Sequence, residues 1–329
     1  MAKEAFAGFF PQLNYAGIAG TGKNLGGNNA PSPTGTSGSV FAVDAYASWD
    51  NDIWGRIRRL NESARAAFFA SQEARRDVMA AVIAQVAQNY FQLLAYEREL
   101  EIARDTTNSF NQSLTIFTRR LQGGVASRLE TSSAQGLLDS VAATIPELER
   151  QITLQENQIS VLLGANPGPI LHGRMSLADQ LPPDVPTGLP SALLERRPDI
   201  REAEQQLRSA YAQVGVAQAD FFPQLSLTGL FGRVSPELAA FTAGGATAWG
   251  AAASLAGPIF HGCRVKAEYQ RTQAVREQFT MQYDATVLNA LLEVSDALIS
   301  RKKLAEAHAQ KVHAVDAYQE AVRMAMKRY

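Results

Sequence analysis

Phe9-Phe10-Pro11-Gln12-Leu13 recurs as Phe221-Phe222-Pro223-Gln224-Leu225, 212 positions later. Each occurrence opens an alternating stretch, crosses a Gly-rich connection, alternates again and enters a long segment without Gly or Pro. One unit therefore occurs twice, and a repeat of this length is read before any local motif. Further along, Arg56-Ile57-Arg58 stands opposite Arg264-Val265-Lys266 at an offset of 208, with Gly55 and Gly262 just before each. The first repeat is assigned to 1–198: hairpin 9–55, long helix 56–122, tip 123–127, return helix 128–163 and connector 164–198. The second is assigned to 199–329: helix 199–220, hairpin 221–260 and long helix 262–329. The second repeat stops short of a counterpart to Gln122-Gly123-Gly124-Val125, and the first has only 1–8 opposite helix 199–220. The expectation is a tandem repeat truncated at both ends.

Composition narrows the class. The 329 residues carry 31 basic and 32 acidic side chains and only 8% aromatics, so the basic face that nucleic acid requires is missing and no nucleic-acid partner is expected. No unbroken run of 18 apolar residues occurs, so no membrane helix is expected. A single cysteine, Cys263, excludes an internal disulfide and any multi-cysteine metal cluster.

Alternation marks the strands. Phe41, Val43, Ala45, Ala47 and Trp49 fall on one side, and Ala42, Asp44, Tyr46 and Ser48 on the other, the period of two expected of a strand with one apolar face. Leu225, Leu227, Gly229 and Phe231 alternate with Gln224, Ser226, Thr228 and Gly232, and Trp249, Ala251, Ala253 and Leu255 form a fourth strand. The connections 21–39 and 233–245 are rich in turn residues, so each repeat supplies one hairpin.

From 56 to 122 there are 67 residues without Gly or Pro, enough for a helix about 100 Å long. An apolar seam runs through its second half at spacings of four and three: Val82, Val86, Asn89, Leu93, Tyr96, Leu100, Ala103, Thr107, Phe110, Leu114, Phe117 and Leu121. A 3.5-residue repeat sustained this long demands a helical partner. Gly123-Gly124 breaks the helix, and Leu138, Val141, Ile145, Leu148, Ile152, Gln155, Ile159 and Leu162 form the answering seam of an antiparallel hairpin. Pro146 is expected to interrupt the return helix. Helix resumes near 191 or 198 and runs to 220.

Four strands cannot close into a barrel, and an open sheet leaves two unpaired edges. Copies of the chain must supply the missing strands, and strands with one apolar and one polar side suit a transmembrane barrel. Helices of that length must then project from one end of it.

These residues carry a resemblance. The twin FFPQL segments, Trp54-Gly55-Arg56-Ile57-Arg58, the Gly-Gly-Val-Ala-Ser tip and Leu194-Glu195-Arg196-Arg197-Pro198-Asp199-Ile200 resemble the TolC-type outer-membrane factor family. The last string and Tyr90-Phe91-Gln92-Leu93 most resemble its NodT/OprM-like lipoprotein branch. The resemblance implies a mainly α fold whose long helical hairpins form an α-barrel. It also implies a homotrimer in which three four-strand sheets make a 12-stranded barrel in outer-membrane lipid. It implies a passive exit duct with its helical tunnel in the periplasm, served by an inner-membrane pump through a periplasmic adaptor and carrying drugs or other small molecules. On this resemblance Gly123, Gly124, Val125, Ala126 and Ser127 form the adaptor-contacting tip. Tyr329 matches a tyrosine that helps hold the periplasmic entrance shut. The lipid-bearing cysteine of the branch has no counterpart, and Cys263 does not stand in for it.

Other signals read as structure. Gly17-Ile18-Ala19-Gly20-Thr21-Gly22-Lys23-Asn24 lacks the Ser or Thr that a phosphate-binding loop places after its lysine, and is read as a hairpin turn. His172, His261, His308 and His313 have no partner at metal-ligand spacing. The charges around Pro198 read as a helix start with local ion pairs. No catalytic, cofactor-binding or metal residue is expected. A soluble coiled-coil scaffold without a pore is the competing reading, against which the four alternating strands weigh.

Overall fold

The computed structural model describes residues 2–23, 37–170, 177, 180, 195–242 and 247–328. A short helix α1 (Ala2–Ala7) leads into strands β1 (Gln12–Lys23) and β2 (Ser37–Asn51). Helix α2 (Arg56–Gln122) follows, then α3 (Arg128–Ala142), α4 (Thr144–Leu162) and α5 (Pro198–Ala219). Strand β3 (Gln224–Ser235), a short helix α6 (Leu238–Thr242), strand β4 (Thr247–Ala256) and helix α7 (Arg264–Arg328) complete the order. The chain divides into two compact units, 1–74 with 189–329, and 75–188.

The first unit contains one antiparallel sheet in the order β1-β2-β3-β4. Register places Tyr15 opposite Ala45, Ala45 opposite Phe231 and Phe231 opposite Trp249. Directly paired residues share a face, and side chains alternate along each strand. One face therefore collects Leu13, Tyr15, Val43, Phe231, Trp249 and Leu255, while Asn14, Asp44, Tyr46, Ser48, Ser226 and Thr228 share the other. Strands β1 and β4 are the two edges.

Below the sheet, α5 packs through small residues. Ala203, Ala210, Ala212, Ala217 and Ala219 are buried together with Ile200 and Val216, and such short side chains let helix backbones approach closely. On α2 the buried positions Ser63, Ala66, Ala70 and Glu73 follow the 3-4-3 spacing of a packing seam. Ser63 Oγ lies 2.9 Å from Ser209 Oγ and accepts from Gln213 Nε2 at 2.9 Å. Arg201 pairs with Glu73 at 3.0 Å and Arg197 with Glu293 at 2.7 Å, tying α5 to both long helices. Arg276 stacks over the Tyr211 ring at 5.5 Å. The charges around Pro198 thus reach further than the local pairs expected of them. The Asp199 carboxylate, bonded to Arg197 at 2.7 Å, holds that guanidinium above its ordinary range.

In the second unit the helices pair along the seam read from the sequence. Leu93, Ala103 and Ile159 are buried, whereas Val82 at its beginning is 37% exposed. Gln155 Nε2 donates to the Asn89 carbonyl at 3.1 Å, and Arg104 pairs with Glu149 at 2.8 Å.

The structure departs from the sequence reading at several points. The return helix breaks at Ala143, three residues before Pro146. A proline cannot donate to the carbonyl four residues earlier and its ring crowds that group, so the interruption falls upstream and Pro146 sits in the first turn of α4. Residues 17–23 belong to β1, not to a turn; Asn24 lies outside the described residues. Helix α6 was not foreseen, although Ser235 Oγ accepting from Glu237 N at 3.1 Å marks its approach. Finally, α2 contains an 18-residue window apolar enough to cross a membrane by composition, only 11% of it buried. The expectation of no such stretch holds only for unbroken apolar runs, because Gln and Asn interrupt this one. His172 and much of the connector lie outside the described residues.

Candidate functional site

The tip between α2 and α3 satisfies its own backbone. Val125 N donates to the Arg120 carbonyl at 2.9 Å and Gly124 N to the Leu121 carbonyl at 3.0 Å. This is the double closure in which the residue after the cap turns left-handed, and Gly124 has φ +78°. On the far side Ser127 N donates to Glu130 Oε2 at 3.0 Å and Ser127 Oγ accepts from Glu130 N at 3.3 Å, a reciprocal cap that starts α3. A Cβ on Gly124 would meet nothing within 4 Å. Val125 is 71% and Leu129 76% exposed. The backbone closure and the cap are made within 119–131, and two apolar groups stand exposed on this self-capped loop.

Where β2 enters α2 the construction is different. The Asp52 carboxylate accepts from Ile57 N and Arg58 N, each at 2.9 Å, and from Arg58 Nε at 3.1 Å. Free N–H groups at a helix start attract an anion. Burial pushes the Asp52 carboxyl upward, but these bonds and the guanidinium charge outweigh it and hold the group below its ordinary 3.8. Trp54 stacks on Phe222 with ring centres 4.6 Å apart and donates Nε1–H to the Pro223 carbonyl at 2.7 Å. Arg56 pairs with Asp220 at 2.8 Å. The sequence marks this entry at Trp54-Gly55-Arg56-Ile57-Arg58 but not the cap by Asp52 or the partners Phe222 and Asp220, although an acid shortly before a long helix is a start signal.

Of the residues singled out beforehand, the structure joins Gly123, Gly124, Val125, Ala126 and Ser127 in one turn. Tyr329 lies outside the described residues. Among the described residues no cluster of three or more His, Cys, Asp or Glu side chains could hold a metal ion. Cys263 is exposed, at φ +65°.

The family model described as outer membrane efflux protein matches residues 1–165 and 189–329. The toluene efflux pump outer membrane protein TtgC of Pseudomonas putida is 33% identical over 327 residues, covering 98% of this chain and 67% of TtgC. A crystal structure of a membrane protein from Pseudomonas aeruginosa superposes with a TM-score of 0.90 at 30% identity, over all of this chain and 76% of that one. The open-state structure of the Neisseria gonorrhoeae MtrE outer membrane channel gives 0.88 at 27% identity, over all of this chain and 73% of MtrE.

Proposed function

Because the chain belongs to the outer membrane efflux protein family, we propose that three copies close their sheets into one barrel and serve as the passive exit duct of a tripartite efflux system. The observation that supports this best is the sheet itself. It has two open edges, a polar face and an apolar face on which Leu13, Tyr15 and Trp249 are each about four-fifths exposed (79%, 88% and 79%). Water tolerates neither long unpaired edges nor a continuous apolar surface well, whereas a closed barrel in lipid resolves both at once. A soluble scaffold would have no use for such a face, and the relatives give that reading no support.

The duct does no chemistry in this reading. The pump supplies the energy and selects the cargo, a small molecule, and the adaptor docks on the turn Gly123 to Ser127. Val125 and Leu129 supply the apolar contact, and the self-capped backbone keeps the turn from refolding as the helices around the periplasmic entrance repack. Tyr329 is assigned to that entrance.

Single-channel recording of the purified protein in planar bilayers, with its mass in detergent, tests the duct. A conducting trimer is expected; a non-conducting, water-soluble species overturns it. The tip is tested by a pair of substitutions. Gly124→Ala costs about 1 kcal/mol of local strain and leaves export near normal. Gly124→Trp adds bulk where the adaptor must approach and abolishes export of a fluorescent efflux substrate while trimers still assemble. Normal export by Gly124→Trp removes the tip from the contact.

A further inference from the structure

The apolar face of the sheet carries one charged side chain among the residues whose side chains are described. Arg233 follows Phe231 by two positions and so shares its face, with Val43 on one side and Thr247 on the other. It lies about 7 Å along the strand beyond the row Tyr15, Ala45, Phe231, Trp249, toward the β3–β4 connection and away from the end of the sheet that joins α2 and α5. Its guanidinium is exposed, and the bond recorded for it among the described residues is a donation from Nη1 to the Phe241 carbonyl at 3.5 Å. No carboxylate within ion-pair distance of it is recorded among the described residues.

An arginine on a lipid-facing strand is costly at the bilayer midplane and nearly free at the interface. Aromatic rings gather at that same interface. Tyr15, Phe231 and Trp249 are 88%, 66% and 79% exposed, and Phe41, opposite Ser235, shares their face one step further toward the loops, so Arg233 lies within an aromatic band that marks the boundary between hydrocarbon and headgroups. A guanidinium there, with its donors free of carboxylate, matches the oxygens of a phosphate.

We infer that Arg233 and the ring row Tyr15, Phe231, Trp249 form a seat for the phosphate-bearing headgroup of an anionic lipid in the leaflet at the loop end of the sheet. The inference rests on the reading of the sheet as a barrel wall. The rings hold the acyl–headgroup boundary at a fixed height, and Arg233 selects charge at that height. The seat therefore sets the depth of the barrel as well as a lipid preference.

The test uses the protein reconstituted in vesicles of phosphatidylcholine containing brominated phosphatidylcholine or brominated phosphatidylglycerol, with tryptophan quenching as the readout. The measurement is made in a Trp49→Phe background, because Trp49 shares that face; there, quenching by brominated phosphatidylcholine reports burial of Trp249 in lipid and depends on the barrel wall alone. With Arg233 in place the protein is expected to favour the anionic lipid about fivefold, the value of one basic residue near an anionic surface. Arg233→Gln brings the ratio to about one and Arg233→Lys retains part of it, both with unchanged trimer mobility. Equal quenching by the two lipids with Arg233 in place overturns the seat and leaves the wall standing. Absence of quenching by either overturns both. Loss of the preference on adding millimolar inorganic phosphate at constant ionic strength identifies a free-anion site and also overturns the lipid assignment.

Discussion

The junctions that lead into the long helices, 52–58 and 260–266, are related by the offset of 208 and built to opposite standards. At the first, Asp52 caps the helix, Trp54 is clamped between the Phe222 ring and the Pro223 carbonyl, and Arg56 pairs with Asp220. At the second, the counterpart of Asp52 is Phe260, 85% exposed, and the counterpart of Trp54 is Gly262. Ile259 beside it is fully exposed, and the side-chain bond recorded for Arg264 among the described residues is to the Nδ1 of His261 at 3.2 Å. Topology explains the contrast. Strands β2 and β3 are central neighbours, so the β2–α2 junction lies against the α5–β3 linker of the same chain. Strand β4 is an edge, so the β4–α7 junction meets its own chain on one side, where Gly257 lies against Pro223 and Tyr269 meets the Phe221 ring, and its outer side faces a neighbour that is not in this chain. In the proposed trimer it would be the stretch before β1 of the next copy, which repeats Phe221-Phe222-Pro223 as Phe9-Phe10-Pro11. Asp220 has Gly8 as its counterpart there, so the ion pair is not repeated. The lesson is that the interior junction is stabilised on both sides within the chain, and the outer side of the edge junction is left to the proposed assembly.

Truncating the interior clamp should have the largest effect. Trp54→Ala removes a stacked ring and a hydrogen bond, and should cost about 2–3 kcal/mol given that the ring is half exposed. A loss of that size in the unfolding free energy, read from denaturant melts of helical circular dichroism, is expected. Gly262→Ala at the counterpart position, where φ is +54°, should cost only the backbone strain of about 1 kcal/mol. Equal losses at the two positions would break the comparison.

Next in size is the cap. Asp52→Ala leaves two helix-start N–H groups and the Arg58 guanidinium without their acceptor, for about 1–2 kcal/mol. The pH dependence sharpens this. The Asp52 carboxyl is held below its ordinary 3.8 in the folded protein, so its contribution is complete above the unfolded value and disappears as pH falls through the lower folded one. Acid melts between about pH 4 and pH 2 should be shallower in Asp52→Asn than in the wild-type protein. An unchanged slope would mean that the N–H bonds, not the charge, do the capping.

Much of this was legible in the sequence, for physical reasons. The helix 56–122 showed because no Gly or Pro interrupts it, the seam because Leu93, Leu100, Ala103 and Ile159 keep a 3.5-residue spacing, and the strands because Val43, Phe231 and Trp249 alternate with polar neighbours. The tip was readable because Gly-Gly followed by Ser-x-x-Glu spells a helix stop and a helix start. What escaped depends on tertiary neighbours. Ser63, Ala66, Ala70 and Glu73 are too small or too polar to announce a seam, and only the alanines of α5 opposite them make it one. Asp52 could not be told from a surface acid until the chain turned at Gly55. Arg233 looked like a loop residue, and its meaning arises from the register that sets it beyond Phe231 and Trp249.

The smallest effect concerns a backbone conformation that the interior and edge junctions share. Gly55 has φ +79° and its counterpart Cys263 has φ +65°, so each long helix forms its first bond to the carbonyl of a left-handed residue: Arg59 N donates to the Gly55 carbonyl and Ala267 N to the Cys263 carbonyl, each at 2.9 Å. Glycine adopts that conformation without strain, whereas any Cβ costs on the order of 1 kcal/mol. Cys263→Gly should therefore raise stability by about 0.5–1 kcal/mol, less whatever the unfolded chain gains in freedom. Cys263→Ala should leave it unchanged, since alanine keeps the Cβ and loses only an exposed thiol. If alanine destabilises as glycine stabilises, the thiol has a packing partner in the assembled trimer, and the edge junction is less bare than the single chain makes it. If both are neutral, the left-handed turn at 263 is held by the neighbouring copy rather than tolerated at a cost, which would place that contact within one residue of the start of α7.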